Sequence, residues 1–191
     1  MWTAMTTGAR RAEECALHLE DLDLDAAVLD LRRALYVDDD GVLQEKDTKQ
    51  HQQRRVALDG ETVAILREQV DRRRAVAAGL GMELRSHAYL YSPDPDGMRP
   101  LNPDTATQRF ERMAARLGID ATLHSLRHYT ATELILAGVD VRTVAGRLGH
   151  SGGGATTLRV YTAWISEADQ RAASTLSGRM PPRPRPPERD T

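Results

Sequence analysis

Four side chains between residues 124 and 161 are of the types that break a phosphodiester with a protein nucleophile: His124, Arg127, His150 and Tyr161. In His124-Ser125-Leu126-Arg127 the imidazole and guanidinium stand three residues apart, so a helix there presents both on one face. His150 follows in Leu148-Gly149-His150, where the glycine suits the end of a helix and a turn of the chain. Tyr161 comes eleven residues later. A tyrosine oxygen attacking a phosphodiester in line would leave a phosphotyrosine link and free the other strand end as a hydroxyl. The covalent link keeps the bond energy, so rejoining would need no ATP. Charge growing on the non-bridging oxygens calls for arginine forks and further hydrogen-bond donors.

The elements that must hold these groups read as mostly helical. Thr7 and Gly8 are placed to open a helix through about residue 19, ended by the acidic run Glu20-Asp21-Leu22-Asp23-Leu24-Asp25. Residues 26–37 read as one strand, the turn Asp38-Asp39-Asp40-Gly41 follows, and residues 42–45 should pair back as a hairpin. A basic polar segment leads to a third strand at 56–58. Asp59 then caps a helix to Gly79 in which Val63, Leu66 and Val70 recur at helical spacing. Residues 88–91 read as a short extended piece and 92–97 as loop. Asn102 before Pro103 opens a helix that Gly118 closes. Further helices are expected near 124–137, 140–148, 155–163 and 166–176, with Leu134, Ile135, Val139, Val141, Val144 and Leu148 as core. Residues 179–191, containing PPRPRPP, read as a disordered tail. The fold class is α+β, mainly α-helical, with a small three-stranded antiparallel sheet.

Composition sets looser bounds. The 191 residues suffice for one domain with a proper core, here residues 1–178, and 40% of them are hydrophobic. No apolar run reaches membrane-spanning length, and the N-terminus lacks the order of a signal peptide. One cysteine, Cys15, rules out an intrachain disulfide and suits a reducing cytoplasm. A net charge of −2 does not by itself mark a nucleic-acid binder, although Arg72-Arg73-Arg74 and the Lys46–Arg55 stretch concentrate positive charge.

Taken together, these stretches resemble the catalytic domain of the tyrosine recombinases, the phage-integrase family. Thr7-Gly8-Ala9-Arg10-Arg11-Ala12-Glu13 resembles the family's first arginine box. Lys49 stands where the family has its β-hairpin lysine, with Lys46 as a rival three residues away. The stretch from His124 to His150 resembles the second box, and Tyr161 falls at the nucleophile. The resemblance implies site-specific integration or recombination of double-stranded DNA. It assigns Arg10 and Arg127 to the non-bridging oxygens, His150 to a further hydrogen bond there, and Lys49 to protonation of the leaving 5′-oxygen. His124 would help take the tyrosine proton, and Glu13 would orient a neighbouring basic group. No metal or cofactor is required.

Self-association on DNA as a tetramer, accessory DNA-bending proteins and a nucleoid-associated cytoplasmic location are implied in the same way. The first box begins within ten residues of Met1, so the N-terminal clamp and the domain's first helix are expected to be missing and DNA binding to be weak. That leaves an alternative: an impaired remnant that serves only as a DNA-binding or partner-binding module. A zinc hydrolase on His124 and His128 is a third reading, but Ser125 stands where HExxH has its glutamate. His128 reads instead as a structural histidine beside Arg127.

Overall fold

A computed structural model describes residues 1–47 and 53–150. Lys49, Tyr161, the helices expected at 155–163 and 166–176 and the 179–191 tail lie outside the described residues.

The chain opens with α1 (Trp2–Thr7), closed by Gly8 in the left-handed region at φ 66°. Helix α2 (Arg11–Cys15) follows at once. The expected helix from Thr7 through residue 19 is therefore two short ones. Thr7 does not cap α2: its hydroxyl donates back to the Thr3 carbonyl at 2.6 Å, within α1. Helix α2 stops because residues 17–18 turn extended, with Leu90 N–H donating to the Leu17 carbonyl at 2.8 Å and His18 bridging to Tyr89. Of the extended piece anticipated at 88–91, the structure has one isolated bridge position, Tyr89.

The small antiparallel sheet is present, with a different make-up from the expected one. Strands β1 (Leu22–Asp23), β2 (Val28–Leu31) and β5 (Arg54–Ala57) form one sheet in the order β1-β2-β5. Strands β3 (Arg33–Val37) and β4 (Leu43–Asp47) form a separate hairpin across the Asp38–Gly41 turn. The single strand expected over 26–37 breaks at Arg32 for an electrostatic reason. Arg32 and Arg33 both donate to the buried Asp21 carboxylate, at 2.5–2.9 Å. Consecutive residues of a regular strand point to opposite faces, so two neighbours reaching one carboxylate must bend the backbone.

Helix α3 (Gly60–Gly79) starts at Asp59, whose carboxylate accepts from Thr62 N–H at 2.9 Å. Helix α4 (Pro103–Arg116) starts at Asn102. Helix α5 (Leu123–Leu136) is capped reciprocally by Thr122 and Ser125, and α6 (Val141–Leu148) begins at Asp140 and ends at Gly149, φ 64°. The main core joins Leu17, Leu29, Leu31, Val56, Leu66, Val70 and Leu90. Ala131, Val144 and Leu148 form a second cluster that locks α5 to α6, with Leu134, Ile135 and Val139 half-buried around it. No helix among the described residues is long and apolar enough to cross a membrane.

Candidate active site

The C-terminus of α6 is where the site is assembled. A helix leaves its last carbonyls without intrahelical partners. Here the first two are met by the chain itself: His150 N–H donates to Ala145 O at 2.9 Å and Gly149 N–H to Gly146 O at 3.0 Å. This crossed pair is the Schellman arrangement, and it needs a left-handed residue at Gly149. The next three carbonyls are taken by three arginines in succession. Arg54 Nε donates to Arg147 O at 2.7 Å, Arg127 Nη2 to Leu148 O, and Arg10 Nη2 to Gly149 O at 2.7 Å.

Each guanidinium is held from a second side. Arg127, 5% exposed on α5, also donates Nη1 to the Gly8 carbonyl, so it ties the end of α1 to the end of α6. Arg10 precedes α2, and its Nη1 reaches Glu13 Oε1 at 2.7 Å while its backbone N–H reaches Oε2 at 2.7 Å. Arg54 straddles the same carboxylate, with Nη1 at 3.0 Å from Oε1 and Nη2 at 2.8 Å from Oε2. Glu13 is 2% exposed. Burial alone would raise its pKa, but Arg54 and then Arg10 overcome that and hold the carboxyl below its usual range. The orienting role expected of Glu13 is thus matched by its contacts.

Both histidines lie in this positive field. Loss of hydration pushes His150 down to about 4, helped by Arg127, Arg10 and Arg54, so its ring is neutral at pH 7. His124, at the start of α5, is lowered by burial first and then by His128, Arg127 and Arg10. Its ring meets His128 edge-on, centroids 4.6 Å apart. His128 is exposed, with this edge-on contact to His124. Arg10, His124 and Arg127 line a concavity of about 510 Å³ whose wall includes Arg11, Thr107 and Glu111.

Four of the six sequence-predicted residues, Arg10, His124, Arg127 and His150, are therefore gathered at one place. Lys49 and Tyr161 are outside the described residues. The rival Lys46 sits on β4 with its ammonium 4.6 Å from the centre of the Tyr36 ring. No group of three or more His, Cys, Asp or Glu side chains among the described residues could hold a metal ion. Arg54 was read from sequence only as part of a basic polar segment. The signal that marks it is period two: Arg54 shares the inward face of β5 with buried Val56, and an inward arginine in a strand must find a buried partner. Arg147 belongs to the same setting, donating to Thr6 O at 2.8 Å and Ala57 O at 3.1 Å.

Residues 1–167 match the family model described as the phage integrase family. Among curated proteins the chain is 37% identical over 87 residues to transposase A from transposon Tn554 of Staphylococcus aureus, covering 44% of this chain and 24% of that protein. It is 25% identical over 182 residues to tyrosine recombinase XerA of Saccharolobus solfataricus, covering 93% of this chain and 50% of XerA. The chain thus spans a quarter to a half of these relatives. Its fold is similar to that of the Tn1549 transposon integrase in complex with transposon right end DNA, with TM-score 0.76 and 18% identity over 92% of this chain and 57% of that one. A crystal structure of XerA recombinase gives TM-score 0.65 and 25% identity over 96% of this chain and 57% of that one.

Proposed function

Because this chain belongs to the phage integrase family, we propose that it breaks and rejoins double-stranded DNA at a specific site through a 3′-phosphotyrosine intermediate. The observation that carries this reading is the convergence of Arg10, Arg127 and His150 on the α6 terminus, with His124 beside them. On this reading residues 1–178 are the catalytic domain, and Tyr161 attacks the phosphorus in line. Arg10 and Arg127 meet the non-bridging oxygens with guanidinium planes that their backbone bonds already fix. His150, neutral at pH 7, donates a hydrogen bond to one of those oxygens. His124, neutral too, accepts the tyrosine proton, and Lys49 returns a proton to the leaving 5′-oxygen. The transposon right end DNA in the structure of the Tn1549 integrase supports DNA as the partner.

A second reading is that the chain binds DNA or a full-length recombinase without cutting. A nicked suicide substrate separates the two. On the cutting reading, a DNA-linked protein band survives denaturant, persists in EDTA and is absent with Tyr161→Phe. A shifted but never covalent complex supports the binding module. Cleavage that survives Tyr161→Phe and dies with chelator overturns both.

A further inference from the structure

We propose that Arg54 is a positioning residue of this site: it fixes the Glu13 carboxylate, and through it Arg10, against the main-chain turn that presents His150. The inference rests on the reading above that Arg10 and His150 act on the phosphate. Arg54 enters from β5, opposite in origin to α2 and α6, and one planar group spans both. Nη1 and Nη2 clasp the two oxygens of Glu13 while Nε holds Arg147 O at 2.7 Å. Its side chain is 7% exposed and that of Glu13 1%, whereas Arg10 is 36% exposed. Arg10 therefore faces the concavity, and Arg54 braces it from behind.

Two further facts tie Arg54 to the turn. A Cβ on Gly149 would lie 2.8 Å from Arg54 Nη1, so the turn and the guanidinium are in direct contact. Glu13 is also the only acceptor that Arg10 and Arg54 share in the bonds described, so the carboxylate transmits the position of one to the other. A lysine at 54 would keep the charge but could not make three directed bonds in one plane. Loss of Arg54 would leave Glu13 in the interior with one half-exposed cation, and its proton affinity would rise. Protonated, Glu13 no longer holds Arg10 as an ion pair.

The test uses the full chain with Arg54→Lys, Arg54→Met, Glu13→Gln and the Arg54→Met/Glu13→Gln pair, in two arms. In the first, covalent capture is timed at saturating DNA. Arg54→Lys should slow it by about 10-fold or more, with DNA affinity changed by less than about threefold. Arg54→Met should also raise the pH at which the rate falls on the acid side. The double variant should lose less than the two single losses combined, because it removes the stranded carboxylate along with its partner. A variant that only weakens the fold would not move that acid limb. Capture at the wild-type rate in Arg54→Lys, or a slowed Arg54→Met with an unmoved pH profile and additive losses, overturns the proposal.

The second arm needs no DNA: NMR titration of the His150 ring and amide exchange at Gly149 and His150 in free protein. In Arg54→Lys, exchange at these two amides should quicken by about 10-fold or more, ahead of the α3 amides. If Arg54→Met does not fold, the charge-removed pair is measured in its place. If the wild type forms no covalent complex, the functional reading falls and this arm still decides the positioning claim. Unchanged exchange and an unchanged His150 titration in both variants would sink it.

Discussion

Gly8 and Gly118 share a left-handed φ of 66° and differ in what surrounds them. An alanine at either pays the cost of an L-residue in that region, ~1–2 kcal/mol, less ~0.4–1 kcal/mol gained from a stiffer unfolded chain. At Gly118 nothing lies within 4 Å of the added Cβ, so the net cost should be about 1 kcal/mol or less. At Gly8 that Cβ would stand 2.3 Å from Leu148 Cδ2 and 3.5 Å from Thr130 Cγ2. Leu148 is fully buried and cannot swing into solvent. Overpacking of this kind adds ~1–3 kcal/mol, so Gly8→Ala should cost about 1–4 kcal/mol in all. The displaced residue also carries the carbonyl that Arg127 holds, and Gly8 supplies the other. Urea unfolding followed by circular dichroism, with equal m-values required, measures both variants side by side. Gly8→Ala should also slow covalent DNA capture, and Gly118→Ala should not. A difference in stability below about 0.5 kcal/mol would refute the claim that α1 and α6 meet this tightly.

Burial, more than repulsion from Glu13, pushes Glu14 up to about 7. Folded protein then holds more protons than unfolded between the usual 4.5 and about 7, so this group's contribution is lost as pH rises through that window. Glu14→Gln should therefore raise the melting temperature at pH 8 relative to wild type and change it less at pH 5; equal shifts at both would contradict this. His150 has the opposite sign: its folded value of about 4 lies below the ordinary 6.5, so its contribution is lost as pH falls between them. An NMR titration showing the His150 ring half-protonated near 6.5 would disprove its burial beside the three arginines. Cys15 is 3% exposed and its thiol is pushed up to about 12, chiefly by burial. Iodoacetamide at pH 8 should leave it unlabelled in native protein and label it fully in urea; rapid native labelling would count against the packing of α2.

Helix boundaries were legible wherever a side chain had a local job. Asp59, Asn102 and Gly149 each announce a cap, and each sits within a residue or two of the helix end it was read to mark. What escaped was decided by partners far away in sequence. The break at Arg32 depends on Asp21, eleven residues earlier, whose burial no local pattern reveals. Helix α2 ends early because residues 17–18 pair with 88–90, a contact that hydrophobic periodicity cannot signal. Arg54 read only as one cation of a basic polar segment, because Glu13, which lies between it and Arg10, is 41 positions away. The candidate site was legible as residue types and order; its support was not, because that lies in main-chain carbonyls, which no side-chain motif records.

Those carbonyls also account for how a chain of net charge −2 gathers so many cations at one place. Arg10, Arg54 and Arg127 side by side would repel one another, and each loses hydration on burial. The C-terminus of α6 carries the negative end of the helix dipole, and a cation there gains ~0.3–1 kcal/mol, up to ~2 kcal/mol when partly buried. Glu13 adds one full negative charge between two of the three. The helix end and the arginines thus stabilise each other: the guanidiniums satisfy carbonyls the helix leaves over, and the carbonyls fix the planes of the guanidiniums. On the proposed function, positive charge for the phosphate would then be set before any DNA arrives, with little reorganisation left for the reaction itself. One consequence separates this arrangement from independent cations. Since all three arginines hold one turn, replacing a second should cost less than replacing the first, and double variants among them should fall short of additivity.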